Sequence, residues 1–353
     1  MDQAVRGAAG FGPANERVSI GAWLEGRGLG RGPLIGTVPI SGGTQNIMLR
    51  VERDGRPYVI RRGPQHLRPE TNTHLRREAR ILTALAGTHV PHASLVAFCD
   101  DELVWSGSCF YLMECVHGFN ATVELPDVYS ENPEMRREMG LALVRSLAAL
   151  GEVDPAAIGL ADVGRPHGFL ERQVPRWLAQ YAGYSKVAGY PDRPHPAVAP
   201  MARWLEANRP GEARAGLMHG DFHLANAMFR PDRPEVAAII DWEMATVADP
   251  LLDLGWLIAM WPDNHEGTSG GVVGRVGGLP AEAELITAYA AASTRSLEHI
   301  HWYTVLACFK LGILLEGTYA RACAGLAPAD TGRRLHETSL RLFEQGVRRI
   351  RAE

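Results

Sequence analysis

Hydrophobic and polar positions follow two rhythms along this chain. After a small, Gly-rich start that reads as a loose end to about Ala14, the stretch VSIGAWLEGRGL (Val18 to Leu29) fits a short amphipathic helix stopped by glycines. From Pro33 to Pro64 apolar and polar residues alternate in three short runs, with Asp54-Gly55 at a turn position. That pattern predicts a β-meander. THLRREARILTAL (Thr73 to Leu85) switches to helical spacing with its charges on the opposite face. Two further strands are expected around SLVAFCDD and CFYLMECVHG.

Beyond Glu134 the reading is mainly helical. RREMGLALVRSLAALGEV, Glu171–Tyr184 and Met201–Asn208 carry helical spacing, with Trp177 and Trp204 as packing anchors, and GYPDRPHPAVAP reads as a loop. AMF, RPDRPE and VAAII then predict a β-hairpin, and ATVADPLLDLGWLIAMW a turn followed by an apolar helix. NHEGTSGGVVGRVGGLP is glycine-laden and expected to be mobile, and Ala281 to Arg351 gives several helices. The division is a sheet-rich lobe over residues 1–117 and a helical lobe over 118–353, an α+β class.

The chemistry concentrates between Leu217 and Glu243, in HGDFHLAN and DWE. Asn226 follows Asp221 by five positions, the separation between base and magnesium-binding asparagine in a kinase catalytic loop. Asp241 ends the apolar run VAAII, where a strand and hairpin would deliver a second oxygen ligand close to Asn226. Moving a γ-phosphoryl group needs an in-line hydroxyl, magnesium across the phosphates and a carboxylate to accept the hydroxyl proton. Asp221 suits the last task, and Asn226 and Asp241 are hard donors suited to Mg²⁺. ATP and Mg²⁺ are therefore the expected cofactors. A His/Asp metal hydrolase is the competing chemistry, but Gly220 and the downstream strand argue against one helical face carrying both His219 and His223.

The upstream region is consistent with this. Gly42 and Gly43, after Ser41, sit between two expected strands, where exposed N–H groups can meet phosphate oxygens, although a plain hairpin turn explains them equally well. The strand YVIR ends in Arg61 where a kinase has the lysine of VAIK, and Glu78 on the following helix is its expected partner. A guanidinium keeps the charge but is bulkier and planar. Strand alternation puts Arg62 on the other face, where a surface arginine is an equal reading.

These residues are enough to name a resemblance. HGDFHLAN, IIDWE and ADPLLDLGWL resemble the aminoglycoside phosphotransferase and choline kinase-like family, whose usual pattern is HGDxHxxN, IDWE and DPxxDL. The resemblance implies a bilobal protein kinase-like fold and a catalytic set of Asp221, His219 and Asp253, with Asp253 bracing the loop. It also implies a nucleotide site that includes the SGGxxN-like segment. An interlobe hinge follows from it, where main-chain groups of Glu114, Cys115 and Val116 bond adenine and Met113 lines the pocket. SGGTQN, YVIRRGP, REARIL and FYLMECVHG look closer to the kinase-like domains fused to some acyl-CoA dehydrogenases.

Composition narrows the partners. A net charge of −4 over 353 residues, with arginines scattered among acids, offers no field for nucleic acid. Five cysteines without a CxxC pair make no disulfide framework. No apolar signal core and no run of about 18 apolar residues appear, so a cytoplasmic protein off the membrane, monomer or homodimer, is expected. The acceptor is expected to be a small hydroxyl compound, neutral or anionic because the carboxy-terminal region is nearly balanced in charge and holds many arginines rather than clustered carboxylates. The resemblance to the kinase-like domains fused to some acyl-CoA dehydrogenases implies a hydroxyacyl thioester as one candidate. An aminoglycoside acceptor, a catalytically weak nucleotide-binding regulator and a protein kinase are the alternatives. The last lacks any DFG, HRD or APE signature.

Overall fold

A computed structural model describes residues 14–40, 46–64, 66–191, 194–262 and 270–352. Two compact units account for the chain: Met1–Gly118 with Ala237–Glu243, and Phe119–Val236 with Met244–Glu353.

The first unit is built on an antiparallel five-stranded sheet. Its elements are α1 (Ala14–Gly26), β1 (Ile35–Pro39), β2 (Ile47–Arg53), β3 (Arg56–Arg62), α2 (Thr71–Leu85), β4 (Leu95–Cys99) and β5 (Phe110–Glu114), with strand order β1-β2-β3-β5-β4. β2 and β3 are joined at Asp54-Gly55, both at positive φ (51° and 70°), the double left-handed turn that matches the twist of a tight hairpin. Alternation sorts the side chains. Leu49, Val51, Ile60, Phe110 and Leu112 share one buried cluster with Ile20 and Leu24 of α1. Each such side chain contributes roughly 1.5–3 kcal/mol through burial. Arg61 and Tyr111 face each other across β3 and β5, one residue out of step with Ile60 and Leu112, and so project to the other face. There α2 turns Leu75, Glu78, Ala79 and Leu82 inward at helical spacing.

Two sequence expectations change here. The first helix runs over Ala14–Gly26 rather than Val18 to Leu29, and the positive φ of Gly28 and Gly30 (72° and 76°) accounts for its earlier end. Arg62 is not a surface arginine: it is buried, with its guanidinium 4.7 Å from the Trp105 ring centroid.

The second unit is mainly helical. α3 (Asp127–Ser130) precedes α4 (Pro133–Glu152), which Asn132 caps by accepting the N–H groups of Glu134 and Met135, with Pro133 at the first position. Then come α5 (Gln173–Tyr184), α6 (Val198–Ala207) and four short strands: β6 (Gly216–Met218), β7 (Ala227–Phe229), β8 (Val236–Ile239, ending in the first unit) and β9 (Thr246–Ala248). The chain finishes with α7 (Leu251–Ala259), α8 (Gly271–Val276), α9 (Glu282–Ala292), α10 (Ile300–Cys323) and α11 (Ala329–Ala352). α10 packs along α7, α11 and α5. Its crossing with α7 needs Gly255, since a Cβ there would lie 2.6 Å from the Tyr303 backbone. Trp177 is buried as expected, whereas Trp204 is only half-buried, edge-on to His301. Within the glycine-laden stretch Val272 and Val273 donate their N–H groups to the carbonyls of Thr122 and Ala121. Among the described residues no helix is long and apolar enough to cross a membrane, and all five cysteines are unpaired.

Candidate active site

β6, paired antiparallel with β9, delivers the chain into the loop His219–His223. Gly220 has φ 85°, and a Cβ on it would meet the Met244 carbonyl oxygen at 2.5 Å, so only glycine lets the loop turn this tightly. Asp253, in the first turn of α7, accepts the backbone N–H of His219 (2.5 Å) and of Gly220 (2.8 Å). Burial pushes the Asp253 carboxyl up to about 7, against the pull of these two N–H groups and the Lys310 charge. The His219 ring lies edge-on to Phe222, and its Nδ1 accepts the Asp221 N–H at 3.4 Å. His219 and Asp253 are 0% and 1% exposed. They fix the loop from behind and do not present a reactive atom.

Asp221 is different. Its side chain is 37% exposed, and each oxygen has a defined role. Oδ1 accepts the Trp256 indole N–H (3.1 Å) and lies 3.4 Å from His223 Nε2; Oδ2 accepts the Asn226 amide at 3.2 Å. Burial would raise its pKa, but the hydrogen bond and charge of His223, with His219 and Lys310, outweigh it and hold the carboxyl below its ordinary value. Asp221 is therefore ionised at neutral pH. The Asn226 Nδ2 also donates to the Asp221 main-chain carbonyl (2.9 Å), which leaves Oδ1 as the oxygen for a cation.

In the first unit Arg61 is the centre of an ionic cluster. It is 6% exposed. Its Nε lies 3.1 Å from Glu78 Oε2, and its Nη2 lies 2.8 Å from Asp241 Oδ1 and 3.3 Å from Glu243 Oε2. The Tyr111 hydroxyl donates to Glu78 at 2.7 Å. Burial works against the guanidinium charge, but Tyr111, Glu78 and Asp241 overcome it and hold the group protonated. Burial raises the Glu78 carboxyl in turn, with Arg61 and Tyr111 opposing. Asp241 has φ 67°, a left-handed conformation costing roughly 1–2 kcal/mol for a residue with a Cβ. The strain aims its carboxylate, and Arg77 steadies the next turn by donating to the Glu243 carbonyl.

Other expected nucleotide residues are placed as follows. Met113 is half-buried near the end of β5, and Glu114 is exposed. The Glu114 N–H is taken by the Ser94 carbonyl (2.9 Å), whereas those of Cys115 and Val116 have no hydrogen bond among the described residues. Ser41, Gly42 and Gly43 lie outside the described residues.

For magnesium, the donor chemistry fits: Asn226 and Asp241 each offer a hard oxygen. Among the described residues no cluster of three or more His, Cys, Asp or Glu side chains is preassembled for a metal.

Three participants were not legible as such. Glu243, the last residue of DWE, is the third carboxylate on Arg61. Trp256 looked like packing inside an apolar helix, and only its indole N–H bond to Asp221 shows otherwise. Lys310 lies in α10, which the sequence gives only as one of several helices between Ala281 and Arg351. Its signal was composition: the chain has two lysines, Lys186 and Lys310, among its 36 basic residues.

Residues 36–292 match the APH family, described as a phosphotransferase enzyme family. The chain is 31% identical over 301 residues to the probable acyl-CoA dehydrogenase IBR3 of Arabidopsis thaliana, covering 81% of this chain and 36% of that protein. It is 31% identical over 317 residues to acyl-CoA dehydrogenase family member 11 of Gallus gallus, covering 87% and 39%. It thus spans little more than a third of the length of these curated relatives. A putative aminoglycoside phosphotransferase from Ralstonia eutropha JMP134 superposes with a TM-score of 0.81 at 28% identity, over 95% of this chain and 98% of that one. An aminoglycoside phosphotransferase solved with AMP-PNP and hygromycin B gives 0.61 at 14% identity, over 94% and 98%, a likeness of fold alone. The α+β, protein kinase-like fold expected from the motifs is thereby shown, and the chain belongs to the APH phosphotransferase enzyme family.

Proposed function

We propose that the chain transfers the γ-phosphoryl group of Mg-ATP to a hydroxyl of a small molecule. The observation that carries this reading is Asp221: an ionised, reachable carboxylate locked by an indole N–H and an amide, on a loop clamped by Asp253. The acceptor oxygen bonds to the γ-phosphorus as the bond to the bridging oxygen breaks, ADP leaves, and the hydroxyl proton passes to Asp221. A loose phosphoryl transition state asks mainly for position and charge neutralisation, so a carboxylate with a low pKa suffices. Asn226 and Asp241 would each supply an oxygen to magnesium, which would neutralise charge on the phosphates.

Arg61 stands for the usual lysine toward the α- and β-phosphates, oriented by Glu78. Ser41, Gly42 and Gly43, outside the described residues, are assigned to the phosphates on the sequence motif alone. The Glu114 carbonyl and the unbonded N–H groups of Cys115 and Val116 suit the adenine edge, with Met113 against the ring. The nucleotide bound to structural neighbours supports ATP as the donor. Calorimetric titration tests the metal arrangement. ATP should bind the wild type only with Mg²⁺, and Asp241→Ala should abolish that dependence. Equal ATP affinity with and without Mg²⁺ in the wild type would overturn the assignment.

A further inference from the structure

Lys310 has an arrangement that packing alone does not explain. It projects from α10 into a slot between two indoles, its Nζ 4.5 Å from the Trp256 ring centroid and 5.7 Å from that of Trp177. Both contacts favour a cation. The same Trp256 donates its N–H to Asp221 Oδ1, so ammonium and carboxylate lie on the face and at the edge of one ring. Arg176 adds a second positive charge, 5.2 Å from the Trp177 centroid.

The ammonium brings three N–H donors and, among the described residues, makes no ion pair or hydrogen bond. A core lysine that merely fills space usually finds a carboxylate or carbonyl, because a half-buried ammonium without an acceptor is costly. Burial does depress the Lys310 pKa, Asp253 and Asp221 pulling the other way.

We infer that Lys310 is a specificity-determining residue that receives an anionic oxygen of the acceptor, so that the acceptor is a hydroxyl compound bearing a carboxylate or phosphate group. The inference deepens the proposed phosphotransfer and rests on it for the roles of Asp221 and the hydroxyl. Its charge logic is simple. A polycationic acceptor would meet Lys310 and Arg176 beside the base and be repelled. An anionic one would give the ammonium the hydrogen-bond acceptor that it lacks among the described residues. With its anion on Lys310, the acceptor could turn its hydroxyl toward the carboxylate on the far edge of the same indole.

The scarcity of lysine makes the test direct. Wild-type protein is treated with a limiting amine-reactive acetyl ester, and acetylation of Lys310 and of the exposed Lys186 is followed by peptide mass mapping. Probes are a series of hydroxycarboxylates of increasing chain length, glycerol 3-phosphate, and the matched neutral amides and glycerol. The expected result is a tenfold or greater slowing at Lys310 by either the carboxylate or the phosphate arm, with Lys186 unaffected and the neutral probes inert. Which arm protects distinguishes the two anions. No protection by any anion, or equal protection by the neutral probes, overturns the inference.

This readout needs no turnover, so it stands even if the wild type transfers no phosphate, an outcome that would sink the proposed function instead. Where turnover is seen, Lys310→Met should lower the ratio of kcat/KM for acid over amide at least tenfold, through KM, with Lys310→Arg restoring most of it. An equal fall in kcat for acid and amide at unchanged KM would show that Lys310 acts only through Asp221.

Discussion

Around Arg61, three carboxylates meet one guanidinium; around Asp221, one carboxylate meets an indole, an imidazole and an amide. The first arrangement is held by charge, in a site where every partner is ionic or bonded to one that is. Directional hydrogen bonds hold the second, and backbone N–H groups on Asp253 fix the loop that carries it. A charge cluster tolerates small shifts of any one member but depends on the total. A hydrogen-bonded base tolerates a change of total charge nearby but depends on the direction of each donor. Removing charge should therefore weaken the fold around Arg61 and the chemistry around Asp221.

The largest effect expected is on chemistry. Asp221→Asn keeps the shape but removes the proton acceptor, and kcat should fall on the order of 10²–10⁴. Denaturant unfolding should show little loss of stability, and a loss as large as that of the next variant would erase the contrast between the sites. Glu78→Ala removes the most buried partner of Arg61, and breaking a buried ion pair in this way costs about 3–5 kcal/mol. Urea titration reads it directly; a loss within 0.5 kcal/mol, the range of ordinary surface substitutions, would mean the cluster is not held by charge.

Asp253→Asn turns an amide N–H toward one of two backbone N–H groups. It should cost about 1–3 kcal/mol as well as activity, the cost of leaving one buried N–H without an acceptor. The same urea titration checks the stability change. Trp256→Phe deletes one donor to Asp221 and leaves a smaller aromatic ring in place, so kcat should fall about tenfold, the low end of what a hydrogen bond to a charged group contributes.

Acid should have the smallest effect. Asp221 takes up its proton at a lower pH in the folded chain than in the unfolded one. Its contribution to stability is complete above the ordinary carboxylate pKa of 3.8 and is lost as pH falls through the lower folded value. The kcat profile should thus show no acid limb from Asp221 between pH 5 and 7, and His223→Gln should bring the limb upward.

Much of this was legible in the chain itself, for identifiable reasons. Period-two alternation with Asp54-Gly55 marked β2 and β3, and the same alternation set Arg61 and Arg62 on opposite faces. The helical spacing of α2 put Glu78 on the buried side. Motif spacing singled out Asp221 and Asn226, which the structure brings within hydrogen-bonding distance. What stayed hidden depended on residues far apart in sequence. Nothing near Arg62 says that Trp105 covers it, and nothing near Lys310 says that Trp177 and Trp256 flank it. Apolar spacing described α7 well, but it cannot tell an indole that packs from one whose N–H holds a carboxylate. His219, grouped by motif with Asp221, turned out to support the loop from a fully buried position.

The central claim is phosphoryl transfer to a small hydroxyl compound with Asp221 as the base. Incubating the wild type and Asp221→Asn with Mg-ATP and a metabolite extract, then searching by mass spectrometry for products heavier by one phosphate, tests it most directly. Such a product is expected with the wild type and is lost with Asp221→Asn at matched ATP binding. A wild type that binds ATP yet yields no phosphorylated product, or a variant that forms it at the wild-type rate, would contradict it.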